Sequence, residues 1–468
     1  MKLNSPYDQD TIAAIATAQG DGGIAVIRIS GKKSLDIINL IFSRNGTKAE
    51  SIQMESHHMY HGHIVDSGSK KIVDEVLCVL MKSPNSYTGE DMAEIHSHGG
   101  HLVPKNILSL LFKLGARPAN PGEFTLRAYL NGKMDLAQAE AVTDVVNAQT
   151  EQGLRQAELQ LEGALSGRID QYKETLIDLL AEVEVQVDFP EEDIDPIVKD
   201  RLIYKTNEVL ANIATLLNSY EEGRIIKYGV NTVILGKPNV GKSSLLNQLV
   251  MKDRAIVSSQ PGTTRDFIEE NIDVRGIALK LTDTAGIRGS TDEIENIGIE
   301  LAKKKGLEAE LIIVVIDASN ELDEDDIEVL EQIGSTKAVL ALNKSDIEPK
   351  ITENDLAPHI SKNKIVKTSA KLGTGIEELK DNIRNLLTKE KKHLEGDEIV
   401  LTELRHKIAL ERSIESLKSF LKAMQKSESP EFLALDLRVA LDSLGEITGE
   451  VTTEDILGRI FSKFCIGK

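Results

Sequence analysis

The chain has 468 residues, 41% of them hydrophobic, with 4% aromatic, no Trp and a formal net charge of −20. The length exceeds what one core supports and predicts about three domains. The acidic balance and scarcity of rings exclude a stand-alone nucleic-acid binder, since phosphate contacts need Lys and Arg and base stacking needs aromatics; any RNA partner must be gripped by a local patch or a second protein.

The N-terminal "MKLNSPYDQDTIAAIATAQG" carries one Lys and two Asp before a short apolar stretch, which is not a secretory leader. Residues 1–130 mix short β-like runs ("GGIAVIRIS", "EVLCVLM") with Gly-rich turns and a helical stretch near 102–115. Residues 131–225 read as helical, with apolar positions recurring every three to four residues and an acidic break, "DFPEEDIDP", between two runs. Residues 226–392 alternate buried strands ("TVILG", "LIIVVID", "AVLALN") with helices, the pattern of a parallel α/β sheet. Residues 393–468 return to a helical pattern. Two helical blocks flanking one α/β block predict a helical domain with the α/β domain inserted. The longest apolar run, "LIIVVI", is far too short to span a bilayer. Two cysteines, Cys78 and Cys465, make neither a disulfide framework nor a zinc ribbon and fit a reducing compartment. A soluble, cytoplasmic protein is expected.

"GKPNVGKSS", Gly236 to Ser244, matches the phosphate-binding G-x-x-x-x-G-K-S between a strand and a helix. There, backbone N–H groups and the helix N-terminus cradle phosphates, Lys242 reaches the β/γ oxygens and Ser243 offers its hydroxyl to Mg²⁺. "DTAG" follows at Asp283, Thr284, Ala285 and Gly286; Asp283 suits Mg²⁺ through water and Gly286 the γ-phosphate. "NKSD" places Asn343, Lys344 and Asp346 after a buried strand. A carboxylate there accepts guanine N1–H and N2–H, which adenine cannot supply, so the base is guanine. "TSAK" adds Ser369, Ala370 and Lys371 as support for the guanine oxygen. Four motifs in order outweigh the bland reading, a Gly-rich turn in an unrelated sheet. Asn239, Val240, Gly241 and Ser244 complete the phosphate loop.

The residue after Gly286 is Ile287, where Ras-like switches place a water-orienting Gln. A hydrophobic residue cannot do that work, and a bound cation is a physical substitute for an arginine finger. In "SSQPGTTRD", Ser258, Ser259, Gln260, Pro261, Gly262, Thr263 and Thr264 lie between the phosphate-loop helix and the next strand. The Thr263–Thr264 pair can serve Mg²⁺ and a second cation, with carbonyls from Ser258 and Gln260 and the Asn239 amide turned the same way.

The whole-chain pattern resembles the MnmE (TrmE) family of tRNA-modification GTPases. It runs from "GGIAVIRISG" through "SYTGEDMAEIHSHGG", "RPANPGEFTLRAYLNGKMDLAQAEAV", the four nucleotide motifs with "PGTTRD", and "EITGEVTTEDILGRIFSKFCIGK". The resemblance implies a multidomain α/β plus all-α protein: an α+β folate-binding and dimerisation domain, then a helical domain holding an inserted Ras-like GTPase domain. It implies a K⁺-stimulated GTPase whose paired G domains hydrolyse GTP, with K⁺ on Asn239, Ser258, Gln260 and Thr263 and Mg²⁺ on Ser243 and Thr264. A water-orienting Glu maps onto Glu295, with Asp292 and Glu293 close by. Arg28, Glu94, Lys133 and Lys468 map onto the site for a one-carbon tetrahydrofolate (5,10-methylene or 5-formyl). The implied product is an aminomethyl or carboxymethylaminomethyl group on C5 of the wobble uridine, U34, of certain tRNAs. The implied partners are a second copy of the chain, tRNA and the flavoprotein MnmG (GidA) in a heterotetramer, with no membrane.

Other readings compete. Seven of ten histidines fall in "HHMYHGH" and "HSHGGH". Zinc accepts such ligands, but strand alternation spreads several over one exposed face, and "HGG" suits a helix start. "CIGK" is not a prenylation box, because a terminal Lys lies outside the usual acceptor set. Nor is it a loose end, because "EDILGRIFSKF" is amphipathic enough to be tied down. The tail then delivers chemistry to a site, with Lys468 as a folate-site residue and Cys465 as a catalytic thiol or a small residue kept for shape. A ribosome-assembly switch without modification chemistry is a different class of function; such proteins usually carry a basic RNA-binding module. A one-carbon transferase with a regulatory G domain is a third.

Overall fold

The computed structural model describes residues 10–18, 20–46, 54–188, 196–252, 269–282, 309–331, 333, 336–361, 364–388, 398–426 and 428–468. The chain forms two compact units, Met1–Thr143 with Gly445–Lys468, and Asp144–Leu444. The C-terminal Gly445–Lys468 thus packs in the unit that holds the N-terminal residues.

In the first unit the strands are β1 (Ile12–Ile15), β2 (Ile24–Ser30), β3 (Phe42–Ser43), β4 (Met59–Val65), β5 (Ile72–Met81), β6 (Met92–His98) and β7 (Arg117–Pro118). Among the described residues they form one sheet in the order β3-β4-β5-β6-β2-β1-β7, antiparallel except where β7 joins β1. Alternation along β2 decides its faces. Ala25, Ile27 and Ile29 are buried. Ile27 and Ile29 share a core with Ile107, Leu110 and Leu111 of the helix Leu102–Lys113. Val26 and Arg28 stand on the opposite face, where Arg28 is in register with Glu94 of β6.

The tail packs within this unit through the helix Glu454–Phe461, whose N-cap Thr453 hydroxyl accepts the Ile456 N–H. Phe461 and Phe464 are buried against Leu136 and Ala139. Gly122, at φ +65°, precedes the helix Glu123–Leu130 and explains the "PGEF" string. A Cβ there would stand 2.8 Å from the Phe461 carbonyl oxygen and 3.0 Å from Phe464 Cβ. The glycine therefore serves the docked tail as well as its own turn.

In the second unit, the helices Glu151–Leu161, Ala164–Asp188, Pro196–Asn218 and Tyr220–Tyr228 lead into the nucleotide-motif segment, and Leu404–Lys426 follows it, with the helix Pro430–Thr448 counted in this unit as far as Leu444. Pro196 opens its helix, where its missing N–H costs nothing. The strands β8 (Val230–Leu235), β9 (Glu269–Val274), β10 (Ile277–Thr282), β11 (Leu311–Asp317), β12 (Lys337–Asn343) and β13 (Ile365–Lys367) form a sheet in the order β13-β12-β11-β8-β10-β9. Every pairing is parallel except β9 with β10. β11 is buried along its whole length because both faces are covered: Ile313 and Val315 join one core, Ile312 and Val314 the other. After the sheet the chain returns to the helices. The Val400 N–H donates to Gln156 Oε1 at 3.0 Å and the Leu401 N–H to Ser219 Oγ at 3.0 Å.

Candidate functional site

The described nucleotide motifs converge because they occupy loops at the carboxyl ends of β8, β12 and β13, parallel strands of one sheet, the usual ligand position in an open α/β sheet. The phosphate loop follows β8 and leads into the helix Lys242–Lys252. Asn239 adopts a left-handed backbone, φ +65°, and is exposed. The Lys242 ammonium folds back on its own loop, donating to the Gly236 carbonyl at 2.6 Å and the Lys237 carbonyl at 2.8 Å. Those are weak partners that phosphate oxygens, which carry charge, outcompete. Ser243 and Ser244 lie exposed in the first turn of the helix, where unpaired N–H groups favour anions.

Asn343, at the end of β12, is 2% exposed and ties three loops together. Its Nδ2 donates to the Val240 carbonyl at 2.8 Å, inside the phosphate loop. Its Oδ1 accepts from the Ala370 N–H at 2.9 Å and the Thr368 hydroxyl at 3.4 Å. Gly241 packs against this amide so closely that a Cβ would displace it. Lys344, at φ +62°, reaches back to Asp317 at 2.6 Å. Asp346 is exposed, and Ser369 donates its hydroxyl to Asp346 Oδ1 at 2.6 Å. That bond holds the carboxyl below the ordinary Asp range, ionised and acceptor-only. An ionised, acceptor-only carboxylate is the group that the guanine N1–H and N2–H require. Ser258 to Thr264, Asp283 to Gly286 and Glu295 lie outside the described residues.

A second constellation occupies the first unit. Arg28 Nε donates to Glu94 Oε1 at 2.8 Å, and Arg28 Nη1 to the Gly467 carbonyl at 3.4 Å. The tail thus ends beside the Arg28–Glu94 pair. Gly467, at φ +97°, sits where a Cβ would stand 2.9 Å from Ala16 Cα, so the last turn fits against the end of β1 only as glycine. Burial pushes the Lys468 ammonium down from its ordinary value, and the Arg28 charge adds to that against the opposing influence of Cys465. Cys465 itself is exposed, and its carbonyl accepts the Gly122 N–H at 3.4 Å. Lys133 is exposed and donates to the Pro84 carbonyl at 3.1 Å. It joins the group through the 83–91 loop, because the Tyr87 ring of that loop lies 5.7 Å from the Arg28 guanidinium carbon.

Sequence reasoning missed what stands behind this loop. Arg127 is 1% exposed and contacts Asp10 at 2.6 Å, Glu123 at 3.0 Å and Glu90 at 3.1 Å. Arg117 reaches Asp10 and Glu123, each at 2.5 Å. Burial alone would raise the Glu123 pKa, but its hydrogen bonds from Arg117, Asn120 and Arg127 hold it below the ordinary value. Glu90 Oε2 also accepts from Ser30, next but one to Arg28. The acidic and basic residues stand in the quoted motifs, but nothing in their spacing announces a buried network. The histidine-rich stretches fall on β4 and β6: His61 pairs with Glu75 at 2.7 Å and His98 with Asp74 at 2.8 Å. His101 sits at the N-cap position of the helix that follows "HGG", without a side-chain bond to it.

Two family models match this chain: the TrmE N-terminus of GTP-binding proteins over residues 11–133, and the MnmE helical domain over residues 136–465. Curated relatives described as tRNA modification GTPase MnmE include one from Alkaliphilus oremlandii, 47% identical over 99% of this chain and 100% of its own length. Another, from Clostridioides difficile, is 46% identical over 99% of this chain and 100% of its own length. Among solved structures, the G domain of the T. maritima FeoB iron transporter matches at 32% identity over 34% of this chain and 99% of its own, with a TM-score of 0.27. Matched along nearly its whole length, the chain belongs to the MnmE (TrmE) family.

Proposed function

We propose that this chain is a GTPase of tRNA modification that uses a one-carbon tetrahydrofolate. The observation that carries the reading is Asn343, whose buried amide holds the phosphate loop and the "SAK" loop at fixed separation beside the Asp346 carboxylate. Such a frame selects guanine because any other base leaves Asp346 facing an acceptor or a void. Lys242 and the start of its helix take the phosphates, and Ser243 with Thr264 holds Mg²⁺. K⁺ on Asn239, Ser258, Gln260 and Thr263 supplies the charge stabilisation that Ile287 cannot, and Glu295 orients the water. In this reading residues 226–392 are the inserted GTPase domain, and two copies pair through them for hydrolysis.

The second constellation is read as the folate site. Glu94 is the carboxylate for pterin N–H groups, Arg28 orders it, and Lys133 and Lys468 supply positive charge. The likeness to curated tRNA modification GTPases supports tRNA as the substrate; in this reading the product is a group on C5 of U34, made with the flavoprotein MnmG. The acidic chain, −20 overall, fits a division of labour in which that partner brings much of the RNA grip. A ribosome-assembly switch has no use for a folate site, so folate binding separates the two readings.

The test of the base assignment is Asp346→Asn. An amide there donates where guanine also donates, so GTP binding falls roughly 100-fold or more, while xanthine nucleotides, which present a carbonyl, bind better than to the parent protein. Unchanged GTP affinity in this variant removes Asp346 from the base site and the guanine reading with it.

A further inference from the structure

We propose that Tyr87 is a positioning residue of the one-carbon site, acting through Arg28, and that by holding Arg28 it also sets the seat of the C-terminal tail. The inference rests on the folate reading of Arg28, Glu94 and Lys468. Arg28 stands on the face of β2 opposite the Ile27 and Ile29 core, the face that carries Tyr87 and its cluster, so its own strand gives the guanidinium no fixed plane. Three groups supply that plane: Glu94 Oε1 on Nε, the Gly467 carbonyl on Nη1, and the Tyr87 ring at 5.7 Å. A ring face within about 6 Å attracts a cation, and a planar guanidinium held there has its donors directed.

Tyr87 is itself held. Its hydroxyl and the Thr125 hydroxyl are 2.9 Å apart, and its body packs on the cluster of Ile12, Met92 and Phe124. On either side of it, Ser86 Oγ donates to the Glu90 carbonyl and the Thr88 hydroxyl bonds to Ser30. The ring is therefore a fixed platform and Arg28 the adaptable part. One guanidinium then serves two tasks, presenting Glu94 and catching the last carbonyl before Lys468.

The test compares Tyr87→Phe with Tyr87→Leu in the full chain, reading 5-formyltetrahydrofolate affinity by calorimetry and tail seating by the rate of tryptic cleavage after Lys463. Phe keeps the ring and loses only the bond to Thr125, so both readouts stay within about twofold of wild type. Leu keeps an apolar body but removes the ring; folate affinity falls about three- to tenfold, the range of one cation–π contact, and cleavage quickens. Gly467→Ala, which displaces the tail from β1 without touching Tyr87, gives the same direction in both readouts. The double variant Tyr87→Leu, Gly467→Ala loses less than the product of the two. Wild-type affinity and cleavage in Tyr87→Leu overturn the proposal, as does an equal loss in the Phe and Leu variants, which assigns the effect to the hydroxyl. A wild-type protein that does not bind the folate defeats the folate reading instead, and the cleavage arm then decides the Arg28 latch alone.

Discussion

Asn343 shows how much one buried amide can do. It makes bonds to two loops that are more than a hundred positions apart on one side and 27 on the other. In Asn343→Ala the Val240 carbonyl and the Ala370 N–H both lose a buried partner, and the cost is about 2 kcal/mol or more. The expected outcome is a lower melting temperature for the nucleotide-binding part together with weaker GDP binding; an unchanged melt contradicts the bridging role. Arg127 makes the complementary point with charge. Removing it leaves Glu123, 1% exposed, with Arg117 and the Asn120 N–H but without its second guanidinium, and takes from Glu90 the guanidinium at 3.1 Å, so Arg127→Met costs about 3 kcal/mol. The pH dependence follows from Glu123, whose pKa in the folded chain lies below the ordinary 4.5. A depressed carboxyl contributes stability that is fully present above its unfolded value and is lost as pH falls through the folded one. The first unit therefore weakens in acid below pH 4.5, and Glu123→Gln flattens that limb of the stability–pH curve. An acid limb of the same slope in the variant removes Glu123 from the account.

At the scale of elements, the nucleotide motifs were legible because each demands a fixed strand–loop–helix setting, and short continuous apolar runs located β8, β11 and β12. The helix Leu102–Lys113 and the helix in "EDILGRIFSKF" were readable from apolar spacing. The purposes of particular glycines were not. Gly122 and Gly467 look like turn residues in the sequence, yet each leaves room for a segment hundreds of positions away or at the other end of the chain. The ionic network behind the 83–91 loop was equally hidden, since a charged residue in a motif reads as exposed until its partners are placed. Tail docking itself gives a prediction. In Gly122→Ala the new methyl meets the Phe461 carbonyl at 2.8 Å and also strains a left-handed residue. Cleavage after Lys463 accelerates, while the helix content seen by circular dichroism barely changes; resistance equal to wild type contradicts the packing described.

At the scale of the molecule, two compact units, each with its own sheet and core, place the Arg28–Glu94 constellation in one and the nucleotide loops in the other. Ligand linkage makes this separable. A ligand at 100 times its Kd stabilises the state that binds it by about 2.7 kcal/mol. Calorimetry is expected to show Mg²⁺–GDP raising one component of the unfolding endotherm and 5-formyltetrahydrofolate raising another; both ligands raising one indivisible transition contradicts the division.

The central claim, cation-assisted hydrolysis by this G domain, is tested most directly by GTP turnover in KCl and NaCl at equal ionic strength. The variant to compare is Asn239→Gly, because Asn239 is left-handed and Gly removes the amide without straining the loop as Ala would. The account predicts marked stimulation by K⁺ in the wild type and its loss in the variant. Equal turnover in the two salts, or K⁺ stimulation that survives in Asn239→Gly, contradicts it.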